Sequence, residues 1–416
     1  MTLSEELIWR GFVNQTTFKD IKELDSKKWT FYHGFDASAD SQTIGNLAAM
    51  MFDKAFIRHG HKAILLAGGA TSLIGDPGGK DKERVLQTEE TIAQNVAAAE
   101  SELKRIFGDS QFTLVNNLDW TKELKVLDFL RDIGKHFSMT PLVQRDYIAQ
   151  RIGEGGAGIS YTEFSYTLLQ GMDFLHLYDK YGVNLQLGGA DQWGNCLSGV
   201  DLIRKARGAE VHTLTIQLVI NKTTGKKFGK SEDGAVWLDA DKTSPYAFYQ
   251  FWINVDDQGV EDYLKIYTEL DKDAVDDIMN AHKEASSNRF AQKRLAYEVT
   301  ALVHGKHIAE SVQRASEVLF GGNSYSELSA ADFVVLKGEL TYAEGPEVPI
   351  IDVLVANDLA KSKTEARQFL ASNAIYVNGQ QIPLNKTTIE TSDTIHGYVI
   401  IRRGKNQQML YKLIHS

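Results

Sequence analysis

Hydrophobic and polar positions in residues 29 to about 220 alternate between short apolar runs and longer amphipathic stretches. Residues 29–34, 62–67 and 183–187 have the apolar character of buried strands, and residues 46–59 place apolar side chains at helical spacing, with Gly60 as the stop. Strands that alternate with helices are typical of a parallel sheet. The pattern therefore predicts an α/β fold whose strand-end loops meet at one sheet edge, where such sheets bind ligands.

The remainder of the chain follows other patterns. From about residue 240 to residue 330 it is predicted to be helical and charged, and residues 340–349, "LTYAEGPEVP", are predicted to form a linker. The final 68 or so residues begin with two helices and continue with short strands that turn at Asn378-Gly379. We therefore expect a helical region and a small α+β domain after the sheet.

The net charge of −10 argues against a protein that coats nucleic acid generally, but it is unevenly distributed. Residues 348–416 contain eight Lys and Arg against five Asp and Glu, which gives +3 there and −13 elsewhere. A basic module on an acidic body indicates local contact with a polyanion. An imbalance of this size is weak evidence by itself.

Cysteine, histidine and leader patterns exclude several classes of protein. The single cysteine, Cys196, excludes an intrachain disulfide framework, and the eleven histidines form no His-x-x-x-His pair, so we expect no protein-bound structural metal. The first residues are not a basic apolar leader, and no apolar run approaches about 18 residues. The expectation is a cytoplasmic protein with neither membrane nor DNA as partner.

Residues 225–234, "GKKFGKSEDG", form a glycine-rich loop that carries Lys226, Lys227 and Lys230. Lysines on a loop that moves easily can close over an anionic group as charge develops on it. A solvated basic hairpin turn is the alternative interpretation.

Residues 68–84, "GGATSLIGDPGGKDKER", follow the second predicted strand and place Asp76 shortly before Lys80 and Arg84. An acid beside two bases suits an amino-acid zwitterion, with Asp76 for the ammonium group and the bases for carboxylate or phosphate. A capped turn with exposed charges is equally compatible with this segment alone.

Two further stretches place polar residues where a ligand could lie. Tyr166, Gln170 and Asp173 share one face of a helix that is otherwise apolar, which favours a buried polar pocket over a solvated stripe. In "LGGADQWGN", Asp191 can accept from ribose hydroxyls and Gln192 can donate to a carboxylate, or Asp191 merely caps a helix. Together with the strand–turn–helix corner at residues 34–46, these loops indicate an enzyme that joins an amino-acid carboxylate to a nucleotide α-phosphate.

From about residue 7 to residue 414 the chain resembles bacterial-type tyrosyl-tRNA synthetases, which are class I aminoacyl-tRNA synthetases. The resemblance rests on "YHGFDASADSQTIGN", "GGATSLIGDPGGK", "SYTEFSYTLLQGMDFLHLY", "LGGADQWGN" and the loop "KFGKS". The C-terminal "VPIIDVLVANDLAKSKTEARQFLASNAIYVNGQQI" resembles an S4-type RNA-binding domain. Several long blocks in the family's order make a chance match implausible.

The resemblance implies an α/β fold made of a Rossmann-like parallel-sheet catalytic domain (1–220), a helical tRNA-binding domain with the lysine loop (221–330), a linker (331–347) and an S4-like RNA-binding domain (348–416). It also implies that ATP and L-tyrosine give tyrosyl-adenylate and pyrophosphate, and that the tyrosyl group then passes to the 3′ end of tRNA(Tyr). Mg²⁺ is expected on the ATP phosphates, and a homodimer is expected.

Site residues follow from the resemblance, position by position. Tyrosine binding is implied for Tyr32, Asp76, Tyr166, Gln170, Asp173 and Gln186. ATP binding is implied for His33, Gly34, Asp36, Ser38, Gly45, Gly189, Asp191, Gln192, Lys230 and Ser231. Catalytic roles at the phosphates are implied for Thr43, Asn46, Lys80, Arg84, Lys227 and Lys230. RNA binding is implied for Lys361, Lys363, Arg367, Arg402 and Arg403.

The chain departs from the family pattern where the nucleotide is expected. Thr43 and Asn46 stand where the family has its two signature histidines, His33 stands where a cysteine or small polar residue is usual, and Ser38 replaces a threonine. Two alternatives to an active ligase remain. One is a paralogue that binds RNA without aminoacylation, which the pair Thr43 and Asn46 alone supports, and the other is an adenylating enzyme that modifies something other than tRNA.

Overall fold

The computed structural model describes residues 1–76, 78, 86–225, 228–231, 234–320, 324–382, 386–404 and 407–414. The strands are β1 (Val13–Thr16), β2 (Thr30–Phe35), β3 (Lys62–Ala67), β4 (Phe112–Asn116), β5 (Leu185–Gly189), β6 (His212–Ile216), β7 (Lys230–Ser231), β8 (Gly234–Ala235), β9 (Thr341–Gly345), β10 (Ile375–Val377), β11 (Gln380–Gln381), β12 (Tyr398–Arg403) and β13 (Gln407–Leu413). The helices are α1 (Leu3–Arg10), α2 (Ile44–Arg58), α3 (Gly69–Ile74), α4 (Glu89–Phe107), α5 (Leu118–Thr121), α6 (Val126–Asp128), α7 (Met139–Val143), α8 (Asp146–Ile152), α9 (Tyr161–Tyr181), α10 (Trp193–Arg207), α11 (Pro245–Ile253), α12 (Val260–Tyr267), α13 (Lys272–Glu284), α14 (Phe290–His304), α15 (Lys306–Phe320), α16 (Ala330–Glu339), α17 (Ile350–Ala356) and α18 (Lys363–Ala371).

The chain divides into two compact units, of which the first comprises Met1–Lys242 and Val255–Leu295. Its six-stranded sheet has the order β1-β6-β5-β2-β3-β4, with β1 antiparallel to β6 and the other neighbours parallel. The order of the parallel strands reverses between β2 and β5, which makes this pair the topological switch point. The predicted Rossmann-like parallel sheet is therefore confirmed.

Helix α2 shows how the local sequence produces this unit. Phe52 and Phe56 of α2 are fully buried and their rings lie 5.3 Å apart, and Phe56 packs on Phe31 of β2 at 5.2 Å. The helix is followed by Gly60 at a φ of 79°, a left-handed conformation that glycine adopts without a steric penalty. Burial of the apolar face fixes α2 against the sheet, and its first residue therefore stands beside the carboxyl end of β2.

The second unit comprises Thr243–Asn254 and Ala296–Ser416. It contains α11, most of α14, α15 and α16, followed by a five-stranded sheet in the order β11-β10-β12-β13-β9. Helices α17 and α18 cover this sheet through a core that includes Leu354, Ala366, Val399 and Met409. The helical region and the small α+β domain are thus present.

The segment predicted as a linker has regular structure instead. Helix α16 is followed directly by β9, which pairs in parallel with β13, Thr341 opposite Met409. A five-residue strand whose partner lies about seventy residues further along gives no local signal, and the nearby Gly and Pro residues point to a loop. The predicted turn at Asn378-Gly379 is confirmed, since both residues have positive φ angles between β10 and β11.

Helices long and apolar enough to cross a membrane were not found in the described part of the chain. The same residues contain no group of three or more His, Cys, Asp or Glu side chains that could hold a metal ion.

Candidate functional site

A cavity of about 580 Å³ opens at the carboxyl ends of β2 and β5 in the first unit. It brings together the predicted tyrosine and ATP positions whose side chains are described. These lining residues are Tyr32, His33, Gly34, Asp36, Ser38, Thr43, Gly45, Asn46, Asp76, Tyr166, Gln170, Asp173, Gln186, Gly189, Asp191 and Gln192. Their convergence follows from the sheet order, because the loops after β2, β3 and β5 and the face of α9 all meet at the switch point.

Lys80 and Arg84 lie outside the described residues. So does part of the predicted lysine loop, including Lys227 and the side chains of Lys230 and Ser231. The described Gly229 lines the cavity at a φ of 111°. A Cβ atom there would lie 3.2 Å from Cγ1 of Ile44 and 3.5 Å from the backbone nitrogen of Gly45. The backbone of this loop therefore lies directly against the start of α2.

Asp173 on α9 is a buried acid of the cavity that two donors hold in place. It is 1% exposed, and its carboxylate accepts hydrogen bonds of 2.9 Å from Asn117 Nδ2 and of 2.9 Å from Trp120 Nε1. Burial raises the pKa of Asp173 to about 7, although these two hydrogen bonds act in the opposite direction. The two donors fix the carboxyl group in one orientation.

Tyr32 and two glutamines present buried polar atoms without partners. The Tyr32 hydroxyl, Gln170 Oε1 and Gln186 Oε1 have no hydrogen-bond partner among the described residues, and all three residues line the cavity. Burial raises the pKa of Tyr32 well above its ordinary value, so its hydroxyl stays protonated. Because buried polar groups are nearly always paired, these atoms indicate a polar ligand.

Asp76 is connected to the interior by a chain of hydrogen bonds. Gln192 Nε2 donates to Asp76 Oδ2 at 2.6 Å, and Gln192 Oε1 accepts from Asn195 Nδ2 at 3.1 Å. The Asn195 carbonyl oxygen in turn accepts from Thr167 at 2.7 Å and from Arg145 at 3.0 Å. This chain sets which end of the Gln192 amide faces Asp76.

Asp36 is held by neighbours on the same edge. Its carboxylate accepts from the Tyr166 hydroxyl at 3.0 Å and from the Thr71 hydroxyl at 2.9 Å. Burial and the charges of Asp36 and Asp76 raise the pKa of Tyr166 well above its ordinary value. Tyr166 is therefore neutral, with its proton committed to Asp36.

Thr43 and Asn46 pair with each other at the start of α2. The Thr43 backbone N–H donates to Asn46 Oδ1 at 3.0 Å, and the Thr43 hydroxyl donates to the same atom at 2.9 Å. A backbone N–H only donates, so the contacted atom is the carbonyl oxygen, and the Asn46 amide nitrogen is left to face outward. Thr43 thus orients Asn46, whose amide nitrogen is a donor with no hydrogen-bond partner among the described residues.

Close backbone approach marks the turn after β5. A Cβ atom on Gly188 would lie 3.2 Å from Cys196 Sγ, and one on Gly189 would lie 2.5 Å from Asp191 Oδ1. A side chain at Gly189 would therefore displace the exposed Asp191 carboxylate. Glycine at this position leaves Asp191 free to line the cavity.

The predicted RNA-binding residues lie in the second unit. Arg402 stacks over the Tyr376 ring at 4.0 Å, and Arg403 over the Phe369 ring at 4.9 Å. Lys363 forms a 2.7 Å ion pair with Asp352 at the surface. Lys361 and Arg367 are exposed on or next to α18. The basic residues form one module with aromatic side chains among them, while Lys405 lies outside the described residues.

Sequence reasoning missed several residues that shape the cavity. Asn117 and Trp120 hold Asp173, and Arg145 holds Asn195, from more than 45 residues away along the chain. The polar run "NNLDW", which starts at the last residue of strand β4, was an available signal for the first two, because it lies at the same sheet edge. Asp53, which pairs with His33, lies within the largely apolar helix α2, and the sequence pattern did not mark it as a site residue.

Comparison with known proteins agrees with this geometry. The profile of the family "tRNA synthetases class I (W and Y)" matches residues 24–321, and that of "Tyrosine--tRNA ligase SYY-like C-terminal domain" matches residues 338–411. The chain is 44% identical to a tyrosine–tRNA ligase of Geobacillus kaustophilus over 422 residues, covering 99% of this chain and 100% of that protein. It is 42% identical to one from Limosilactobacillus fermentum over 425 residues, covering 99% and 100%.

A solved structure extends the likeness to the fold. The C-terminally truncated mitochondrial tyrosyl-tRNA synthetase of Aspergillus nidulans superimposes with a TM-score of 0.69 at 30% identity, covering 77% of this chain and 94% of that one. The family assignment rests on two domain profiles in the expected order and on relatives that match nearly the full length of the chain. The polar lining of the cavity agrees with it. The chain belongs to the class I tRNA synthetases of the tryptophan and tyrosine type.

Proposed function

We propose that this chain activates L-tyrosine with ATP to give tyrosyl-adenylate and pyrophosphate, and then transfers the tyrosyl group to the 3′ end of tRNA(Tyr). The observation that carries the proposal is the pair Tyr32 and Asp173: a buried hydroxyl without a partner beside a carboxylate held by two donors. A phenolic hydroxyl can accept from Tyr32 and donate to Asp173. Phenylalanine would form neither bond, and so would lose about 0.5–1.5 kcal/mol for the neutral bond and about 1.5–3 kcal/mol for the bond to the carboxylate.

The α-ammonium group of tyrosine is assigned to Asp76, Tyr166 and Gln170. The Asp76 carboxylate and the unpaired Gln170 Oε1 are acceptors, which an ammonium group requires. The Tyr166 hydroxyl donates a hydrogen bond to Asp36, and its oxygen still has lone pairs that can accept from an ammonium group. We also assign Gln186 to this pocket, since its Oε1 is likewise buried and unpaired.

Activation requires no covalent enzyme intermediate. A carboxylate oxygen of tyrosine attacks the α-phosphorus of ATP, and the bond from that phosphorus to the bridging oxygen breaks as pyrophosphate leaves. The chain contributes positioning and charge stabilisation. We propose that Gly34, Asp36, Ser38, Gly45, Gly189, Asp191 and Gln192 bind the nucleotide, and that Thr43, Asn46, Lys80, Arg84, Lys227, Lys230 and Ser231 serve its phosphates. Mg²⁺ enters with ATP as its complex, as part of the substrate.

The second step moves the tyrosyl group to RNA. A ribose hydroxyl of tRNA attacks the adenylate carbonyl carbon, and AMP leaves. We propose that residues 1–220 carry out the chemistry, that 221–330 and 348–416 contact tRNA, and that Lys361, Lys363, Arg367, Arg402 and Arg403 meet its phosphates and bases. Of the segment proposed as a linker, 331–347, strand β9 belongs to the sheet of the last domain. The compartment we propose is the cytoplasm.

A homodimer is the assembly we propose. Large apolar side chains between α6 and α9 are strongly exposed, among them Val126 at 72%, Leu127 at 77%, Met139 at 58% and Tyr161 at 67%. Exposed apolar residues concentrated in one segment mark interaction surfaces. Sedimentation equilibrium tests the proposal: a monomer at micromolar concentration would contradict it.

Tyrosine-dependent exchange of pyrophosphate into ATP, with charging of tRNA(Tyr) assayed in parallel, tests the function. We expect both activities. No exchange by pure protein would overturn the proposal and favour an RNA-binding paralogue. Exchange without charging would instead support an adenylating enzyme that modifies another acceptor.

A further inference from the structure

The described side chains that line the cavity are mostly acidic where they can carry charge. Its described lining side chains include five aspartates, Asp36, Asp53, Asp76, Asp173 and Asp191. Among those same side chains, His33 is the one that can carry a positive charge. Thr43 and Asn46 at the start of α2 are neutral donors at best. Among the described lining residues, His33 is therefore the candidate for a cation, and the other ionisable side chains around it are acidic.

His33 is tied to a carboxylate on α2. Its Nδ1 lies 2.8 Å from Asp53 Oδ1, and the two side chains are only 11% and 6% exposed. The opposite ring nitrogen, Nε2, has no hydrogen-bond partner among the described residues. A carboxylate that holds Nδ1–H fixes the ring orientation and directs Nε2 to the other side.

Among the described residues, few charged groups face the imidazole. The neighbours of His33 in the sheet are Leu65 on β3 and Leu187 on β5, both apolar. The charges that act on it are Asp53 from α2 and Asp191 from the turn after β5. The ring therefore lies under the influence of two carboxylates, of which only Asp53 is in direct contact.

These surroundings favour the charged ring. Burial alone lowers the pKa of His33, but the charge and hydrogen bond of Asp53 and the charge of Asp191 outweigh burial, and the pKa is raised above its ordinary value. Burial likewise raises the pKa of Asp53 against the opposing effect of His33. Because the pKa values of His33 and Asp53 are both raised, the pair keeps its proton to a higher pH than either side chain would alone. The imidazolium is present below the raised pKa of His33 and is lost as pH rises through it.

We propose that His33, oriented and kept protonated by Asp53, donates from Nε2 to an oxygen of the bound nucleotide, so that affinity for ATP falls with rising pH while affinity for tyrosine does not. The inference rests on the proposed function, because it assigns the nucleotide to this cavity. Protonated His33 supplies a positively charged hydrogen-bond donor in the pocket, which Thr43 and Asn46 cannot provide. His33 is a binding residue in this view, and Asp53 is a positioning residue.

The test compares KM for ATP in wild type, His33→Gln and Asp53→Asn between pH 6 and pH 9 in the tyrosine-dependent exchange reaction. Because ATP protonation is common to all three proteins, the ratio of variant to wild-type KM is the quantity compared. We expect His33→Gln to raise this ratio about 10-fold or more at pH 6, the scale of one hydrogen bond to a charged group, and to leave it near one at pH 9. Asp53→Asn should move the midpoint of the profile to lower pH.

The control is His307→Gln, which changes an exposed histidine and should retain the wild-type profile. A ratio for His33→Gln that does not depend on pH overturns the inference, as does an equal effect on KM for tyrosine. A purely structural role of Asp53 would lower stability without moving the midpoint, and that result also contradicts the proposal.

A second measurement separates this inference from the proposed function. The His33 imidazole is titrated by NMR, identified by its absence in His33→Gln, with and without the α,β-methylene analogue of ATP. We expect the analogue to raise the His33 pKa; no change overturns the inference even if exchange is normal. If exchange is absent and the shift is present, the proposed reaction fails while the nucleotide contact stands. A shift also produced by adenosine places the contacted oxygen on the ribose, and a shift confined to the analogue places it on the phosphates.

Discussion

Tyr32→Phe should change stability and tyrosine recognition in opposite directions. The Tyr32 side chain is 1% exposed, and its hydroxyl has no partner among the described residues. Removing the hydroxyl breaks no described hydrogen bond and relieves an unpaired buried group, whose cost is about 1–3 kcal/mol. The free energy of unfolding should therefore stay equal or rise, where most core substitutions lower it.

Tyrosine recognition should weaken in the same variant. One neutral hydrogen bond to the substrate phenol contributes about 0.5–1.5 kcal/mol, or about 2- to 13-fold in affinity. Phenylalanine makes no such bond, so its activation should hardly change. The preference for tyrosine over phenylalanine should thus fall by the same 2- to 13-fold factor.

The assay is kcat/KM for each amino acid in pyrophosphate exchange, with urea unfolding of the same samples. Tyr246→Phe is the matched control, because Tyr246 is buried but does not line the cavity. It should leave the ratio of the two amino acids unchanged. A Tyr32→Phe protein destabilised by more than about 1 kcal/mol, with its selectivity intact, would show that the hydroxyl serves the fold and would refute the reasoning.

Three further predictions follow from the same geometry. Burial raises the pKa of Asp173 from 3.8 to about 7, so the folded state binds the Asp173 proton more tightly than the unfolded state does. The free energy of unfolding of wild type relative to Asp173→Asn should therefore fall by up to about 4 kcal/mol as pH rises from about 4 to 7, and then level off. Urea unfolding measures this difference, and a difference that does not depend on pH would contradict the prediction. Asn46→Ala should lower the exchange rate at saturating tyrosine by up to about 10²-fold, and Thr43→Ala by less, since Asn46 holds the free donor; the reverse order would exclude this assignment. Arg145→Met should cost about 1–3 kcal/mol of stability, because the oxygens that share its guanidinium lose their donor, and an unchanged unfolding midpoint would count against that chain of hydrogen bonds.

Local pattern was enough to predict the sheet and part of the cavity lining, and the other lining residues followed from the resemblance to the family. Strand β3 is apolar and buried after its first residue, Lys62, and α2 repeats its apolar residues at helical spacing. Polar residues just after a strand in a parallel sheet lie at the ligand edge. The face of α9 that carries Tyr166 and Asp173 was predicted by spacing alone, and both residues line the cavity.

Contacts between distant segments could not be predicted from spacing. Trp120 reaches Asp173 across 53 residues, and Asp53 reaches His33 across 20. Neither pair has a periodic signature, because packing of α9 and α2 on the sheet creates it. Strand β9 is similar: its pairing with β13 exists only after the last domain has folded. Sequence pattern thus identifies some of the residues that line the cavity, and tertiary packing decides which residues hold them.

The proposed pocket is tested most directly by measuring pyrophosphate exchange on pure protein with tyrosine and with phenylalanine as the only amino acid. The unpaired Tyr32 hydroxyl and the fixed Asp173 carboxylate predict rapid exchange with tyrosine and a loss on the order of 10²-fold with phenylalanine, which can form neither of the two hydrogen bonds. Equal exchange with both amino acids, or exchange with neither, would contradict the assignment of this cavity to tyrosine.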